Sequence, residues 1–229
     1  MEQLACGLTL EVPSGAFPLS TDSMVLSHFV KLPGKARILD LGSGCGTLGL
    51  LLCARSQDCR VTGLEIDPTA HQGAVLNIER NGLADRMASI CADLRTLSQH
   101  ITPGSMDICV SNPPYFSGGP RSAAHGDARR EDSCTLDDLT AAAAKALKYG
   151  GDFFLVHRPE RLAEICSLGA KHGMEAKRLC LVRHKQDGPV TLILLQLRKG
   201  GKPGLLWEEL YLQEQDGSPS AAYKHIYHL

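Results

Sequence analysis

No apolar run in this chain reaches the ~20 residues that a membrane-spanning helix needs, so no transmembrane segment is expected. No basic start followed by an apolar stretch and a small-residue cleavage site opens the chain, so no secretory leader is expected either. Nine cysteines are present: Cys6, Cys45, Cys53, Cys59, Cys91, Cys109, Cys134, Cys166 and Cys180. The number is odd and no C-x-x-C pair occurs, which argues against a disulfide framework and against a zinc site. Several of them fall in apolar runs, where a free cysteine behaves as a small buried hydrophobe. A reducing, cytoplasmic compartment fits that pattern. The nine histidines show no metal-ligand spacing, and no metal is expected. The formal net charge is −1, so the chain has no overall basic signature for nucleic acid.

That average hides an asymmetry. The stretch from Lys171 to Lys202 carries eight Lys/Arg against Glu175 and Asp187, a local +6 that leaves −7 for the rest of the chain. A positive region of this kind can face RNA, with Lys177, Arg178, Arg183 and Lys185 as its candidates. It can equally be a solvated face whose edge-strand lysines discourage aggregation.

At 229 residues with 43% apolar content, the chain can build one catalytic domain around a substantial core. Short apolar strands alternate with helical stretches, the pattern of a doubly wound, mostly parallel α/β sheet. Strands are expected at 37–41, 60–66, 88–92, 106–110 and 152–157. Helices are expected from Thr21 or Asp22 to Val30, at 47–55, 136–147 and 159–172, and from the cap Asp67-Pro68 to the stop Asn81-Gly82. Two final strands, 178–183 and 190–198, are joined by Gln186-Asp187-Gly188-Pro189. The expected organisation is an N-terminal extension and cap helix (1–35), a catalytic domain (36–200) and an extended C-terminal tail (201–229) that starts with Gly and Pro.

Directly after the fourth strand comes Asn112-Pro113-Pro114-Tyr115. Two prolines fix φ twice and remove two backbone donors. The residue before a proline is held extended. The result is a stiff hook whose oxygens are free to accept. An exocyclic amine offers two N–H donors, and the Asn112 side-chain oxygen and the Pro113 carbonyl can take one each. That arrangement draws the nitrogen lone pair out of conjugation, while Tyr115 can stack on the base that carries the amine. The bland alternative is an ordinary Asn-Pro turn. The tetrapeptide resembles the amine-methylation motif of S-adenosylmethionine-dependent methyltransferases.

The first strand leads into Asp40-Leu41-Gly42-Ser43-Gly44-Cys45-Gly46-Thr47. Glycines at Gly42, Gly44 and Gly46 let the backbone turn tightly against a ligand, and the next helix offers its free N–H groups. Glu65 ends the second strand, where an acid can hold both hydroxyls of a ribose. Asp93 ends the third strand and can accept from an adenine amino group. Asp40 can orient the cationic amino-acid end of the cofactor. Gly44, Gly46 and Gly49 also satisfy the G-x-G-x-x-G spacing of dinucleotide-binding proteins, so an NAD-dependent oxidoreductase is a competing class. Taken singly, Asp93 can be a turn cap and Glu65 a surface carboxylate.

Five segments together resemble one narrower family: Phe17-Pro18-Leu19-Ser20-Thr21-Asp22-Ser23, Ile38–Gly44, Asn112–Phe116, Val156-His157-Arg158-Pro159-Glu160-Arg161-Leu162, and Gly200-Gly201-Lys202-Pro203-Gly204. The chain is similar to the bacterial enzymes that methylate N6 of an adenine next to the anticodon in valine tRNA. The resemblance implies a Rossmann-like class I fold, a seven-stranded sheet with a C-terminal antiparallel hairpin. It implies S-adenosylmethionine bound by Asp40, Gly42, Gly44, Gly46, Glu65 and Asp93, and an adenine held by Asn112, Pro113, Pro114 and Tyr115. The Phe17–Ser23 segment would close over the cofactor. The loop from Ser117 to Ser133 departs from the family pattern; its Arg121, Arg129 and Arg130 can reach RNA phosphates. Methylation of a protein glutamine amide, of DNA adenine or of rRNA guanine uses the same hook, but glutamine methylation calls for a larger N-terminal domain than the ~35 residues before the first strand. A protein that binds RNA without turnover is the non-catalytic alternative.

Overall fold

The computed structural model describes residues 2–4, 7–13, 19–113 and 134–227. Two short strands, β1 (Glu2–Gln3) and β2 (Thr9–Leu10), form an antiparallel ribbon near the N-terminus. Helix α1 (Thr21–Phe29) is capped by Ser20, whose hydroxyl accepts from Ser23 N–H; the cap expected at Thr21 or Asp22 lies one residue earlier. Ser20 is extended and Thr21 already helical, so only Ser20 can offer its oxygen to the free donors of the first turn. Then follow β3 (Arg37–Leu41), α2 (Thr47–Arg55), β4 (Arg60–Glu65), α3 (Pro68–Arg80), β5 (Met87–Cys91) and β6 (Met106–Ser111). The Asp67 carboxylate caps α3 by accepting from Thr69 and Ala70 N–H at 2.8 and 3.2 Å. Beyond residue 133 come α4 (Leu136–Ala146), β7 (Leu147–His157), α5 (Leu162–Lys171), β8 (Met174–Arg183), β9 (Val190–Lys199), β10 (Leu206–Tyr211) and α6 (Ala221–Tyr227).

The main sheet has the order β10-β8-β9-β7-β6-β3-β4-β5. β9 runs antiparallel to β7 and β8, and the other pairings are parallel. Alternate side chains feed two apolar layers. Ile38, Val61 and Phe154 pack with α1 and α2; Leu39, Leu41, Phe153 and Leu155 pack with α4 and α5. Both faces are therefore covered, as a parallel sheet requires.

The sheet has eight strands among the described residues where seven were expected. β10 adds in parallel to the edge of β8, and α6 packs Ile226 into the core, so the segment read as an extended tail is partly regular structure. β10 was hard to read because Leu206, Trp207, Glu208 and Glu209 are all exposed on an edge strand. With neither face buried, no alternation of apolar and polar residues marks it.

Candidate active site

The glycine loop joins β3 to α2 at the carboxyl end of the sheet. Gly42, Gly44 and Gly46 all lie in left-handed backbone, at φ 73°, 54° and 83°. At Gly42 and Gly44 a side chain would meet open space, so conformation alone selects glycine there. Gly46, at the start of α2, is also crowded: a Cβ would come 3.0 Å from Met87 Cε. The loop is fixed from below. Gly42 and Ser43 N–H donate to Leu64 O at 2.9 and 3.1 Å. Gly63 of β4 gives the loop room, since a Cβ there would sit 2.6 Å from Ser43 Oγ. Gly63 was missed because its neighbour, Ser43, comes from the loop after another strand.

Glu65 ends β4 and ties two loops together. Its carboxylate accepts from Gly44 N–H at 2.8 Å and from Asp67 N–H at 2.8 Å. A carboxylate has about four acceptor positions, so two bonds leave capacity for ribose hydroxyls. Asp93 follows β5 and caps a short 3-10 helix (Leu94–Gln99) by accepting from Arg95 N–H. It also pairs with the Arg95 guanidinium, whose hydrogen bonds hold its carboxyl below the usual range. The capping role weighed for Asp93 is thus present. Register places it near Glu65, because β5 pairs Cys91 with Glu65 and Ala92 N–H donates to Glu65 O at 2.9 Å.

Asp40 lies beneath the loop, 2% exposed. Burial, reinforced by the negative charge of Glu65 and opposed by the Gly49 N–H, pushes its carboxyl up to about 7. Asp40 Oδ2 and Ser43 Oγ are buried oxygens with no hydrogen-bond partner among the described residues. Unpaired buried oxygens are costly. These two, with the glycine cradle and Glu65, suit a ligand that carries a cationic ammonium and a ribose. The residues fit S-adenosylmethionine.

On the substrate side, β6 ends at Ser111, whose buried hydroxyl donates to Leu41 O at 2.7 Å. That bond sets the end of β6 beside the start of the glycine loop. Asn112 comes next, half-buried, and its Nδ2 donates to Ser23 Oγ of α1 at 3.0 Å. Pro113 is buried. Pro114 and Tyr115 lie outside the described residues, as do Phe17, Pro18, Cys6, the 117–133 loop and its Arg121, Arg129 and Arg130. His157, at the end of β7, accepts from Arg158 N–H at 2.8 Å, and burial lowers it to about 4.

The four basic candidates divide into two pairs. Arg178 bonds Glu208 at 2.7 Å and stacks 4.2 Å over the Phe29 ring. Arg183 pairs with Glu209 at 3.3 Å and donates to Gly188 O at 2.5 Å. Among the described residues, Lys177 and Lys185 donate only to backbone oxygens, those of Lys202 and Gln215, at 2.8 and 3.1 Å. Glu208 and Glu209 fall outside the stretch whose charge was summed, so the local excess is smaller in space than in sequence.

This sheet order, with a glycine loop, an acid at the next strand end and Asn112-Pro113 along one edge, is that of a class I S-adenosylmethionine-dependent methyltransferase. The fold alone has wide company: the structure of a predicted O-methyltransferase from Agrobacterium tumefaciens matches with a TM-score of 0.76 at 21% identity, covering 91% of this chain and 96% of that one. The chain belongs to the methyltransferase small domain family, whose model matches residues 20–166, and within it to the group of relatives named tRNA1(Val) (adenine(37)-N6)-methyltransferase. The relative of that name from Tolumonas auensis is 32% identical over 212 residues, covering 91% of this chain and 87% of that protein. The one from Bacteroides fragilis is 31% identical over 182 residues, covering 79% and 76%. The dinucleotide reading of Gly44, Gly46 and Gly49 is set aside. Gly49 is a packing residue, since a Cβ there would come 2.5 Å from Met87 Cε. Among the described residues, no helix is long and apolar enough to cross a membrane, and no cluster of three His, Cys, Asp or Glu could hold a metal.

Proposed function

We propose that this chain methylates N6 of an adenine in a tRNA anticodon loop, with S-adenosylmethionine as the methyl donor. One observation carries the reading: Asn112-Pro113 stands at the end of β6, tied by Ser111 to the strand end that opens the glycine loop. When bound, the cofactor supplies an electrophilic methyl on a cationic sulfur. The Asn112 oxygen and the Pro113 carbonyl each accept one amine N–H and leave the lone pair exposed. Tyr115 stacks on the flipped base, a contact worth ~1–3 kcal/mol, and Pro114 keeps the hook rigid. No nucleophile is needed from the protein. Positioning and exclusion of water are the whole of its task. The N–C bond would form as the sulfur–methyl bond breaks, with S-adenosylhomocysteine as the leaving group, and the surplus amine proton would pass to solvent.

In this reading Asp40 faces the ammonium end of the cofactor, Glu65 holds its ribose, and Asp93 turns from Arg95 toward the adenine edge. Residues 36–200 form the catalytic domain, 1–35 the cap, and 201–229 pack against it in a cytoplasmic enzyme. Lys177, Lys185, Arg121, Arg129 and Arg130 meet RNA phosphates, whereas Arg178 and Arg183 hold β10. The reading is tested with labelled S-adenosylmethionine and total tRNA, followed by nucleoside mass spectrometry. N6-methyladenosine is the expected product. Label found only on a protein glutamine, or on no nucleoside, refutes it.

A further inference from the structure

We infer that Ser23 is a positioning residue that fixes which end of the Asn112 amide faces the substrate; this rests on the proposed role of Asn112. A primary amide presents either an oxygen acceptor or an NH2 donor, and a half-turn about its last torsion exchanges them. For an amine substrate the difference decides the outcome. The oxygen accepts an N–H, while the NH2 would meet the amine donor to donor.

Ser23 resolves that choice. The residue is 7% exposed, and its Oγ lies 3.0 Å from Asn112 Nδ2. The same oxygen accepts from the Ser20 hydroxyl at 3.4 Å. Ser23 Oγ thus accepts from Asn112, and in this arrangement the NH2 end of the amide faces α1. The amide oxygen is then directed away from α1.

The helix that carries Ser23 is anchored on several sides. Ser20 caps it. The Arg55 guanidinium donates to Ser27 O and, at 3.1 Å, to Val30 O. Tyr227 of α6 donates to Thr21 Oγ1 at 3.2 Å. Ser23 is therefore held in place independently of the hook, and 89 residues separate it from Asn112 in the chain.

The test compares Ser23→Ala with Asn112→Ala and the parent in steady-state kinetics on a tRNA substrate, alongside S-adenosylhomocysteine affinity and melting temperature. For Ser23→Ala, kcat should fall about tenfold, equivalent to about 1.4 kcal/mol. KM for tRNA and melting temperature should stay close to the parent, and cofactor affinity should fall less than kcat. A kcat within twofold of the parent overturns the inference. So does a parallel fall in kcat, cofactor affinity and melting temperature, which would mark a purely structural serine. If Asn112→Ala itself turns over normally, the hook reading fails and the Ser23 inference falls with it; an inactive Asn112→Ala beside a fully active Ser23→Ala removes the inference alone.

Discussion

The proposed cofactor half and the proposed substrate half of the sheet edge are built in different ways. The cofactor half is local. Asp40, the glycine loop, Glu65 and the Asp67 cap lie within 28 residues, the longest hydrogen bond of the loop, Gly42 to Leu64, spans 22 positions, and Asp93 comes from further along the chain. The substrate half is assembled from afar. Ser111 reaches back 70 positions to Leu41, Asn112 reaches 89 to Ser23, and Tyr227 reaches 206 to Thr21. A cradle for a common cofactor can be carried by a short motif. A grip on a particular substrate has to be gathered from the whole chain.

The sharpest way to break that division is Asn112→Ala. Turnover should drop by about 10²–10³, the usual cost of losing one oriented polar group at a reacting centre, while calorimetry finds cofactor affinity unchanged. Weakened cofactor binding would merge the two halves.

Glu65→Ala is the reciprocal change. It removes an acceptor from Gly44 and Asp67 as well as the proposed ribose contact. A loss of about 2 kcal/mol or more, roughly thirtyfold in S-adenosylhomocysteine affinity, is expected by calorimetry. An affinity within threefold of the parent would show that the glycine loop orders itself.

Gly63→Ala probes the loop's support. The new methyl would enter the space of Ser43 Oγ at 2.6 Å. A destabilisation of about 1–3 kcal/mol is expected, measured by denaturant unfolding. An unshifted midpoint would mean that the loop yields.

pH sharpens the comparison. The Asp40 carboxyl is raised to about 7 in the folded chain from 3.8. Between those values the folded state holds a proton that the unfolded state has lost, so stability from this group falls as pH rises from about 4 to 7. A cationic ammonium favours the ionised acid. Cofactor affinity should therefore climb as pH rises through about 7, and Asp40→Asn should flatten that climb. A climb that survives in Asp40→Asn assigns the proton elsewhere.

The smallest effect concerns the basic residues. Neutralising Lys177 and Lys185 should make the dependence of log affinity for tRNA on log salt shallower, by nearly one in slope for each phosphate that a lysine neutralises in the parent. Neutralising Arg178 and Arg183 should lower the melting temperature instead. A salt slope that moves with the arginines and not the lysines reverses this assignment.

Local chemistry made much of the fold legible. Asp67-Pro68 caps α3 as expected, because an Asp cap and a first-turn proline act within four residues. β3 and α2 fall at their expected limits, since apolar periodicity and the glycine stop are properties of adjacent residues. The cap of α1 is displaced by one position to Ser20, a boundary that only the backbone dihedrals settle. Arg178 and Arg183 look like free charge until Glu208 and Glu209 come alongside on β10. Gly63 carries no signal, and Ser23 enters only as the end of a family-like segment with no hint of Asn112, because each owes its role to a neighbour distant in sequence.

By itself, then, the sequence determined the alternation of strands and helices, the turn-forming glycines and the place of the proposed hook after β6. Steric limits and hydrogen-bond geometry act there between neighbouring residues. Only the tertiary structure decided that Asp40 would be buried beside Glu65, that an eighth strand would neutralise two arginines, and that a serine on the first long helix would meet Asn112. Burial, charge pairing and the direction of an amide depend on what the fold brings within a few ångströms, and chain order does not state that.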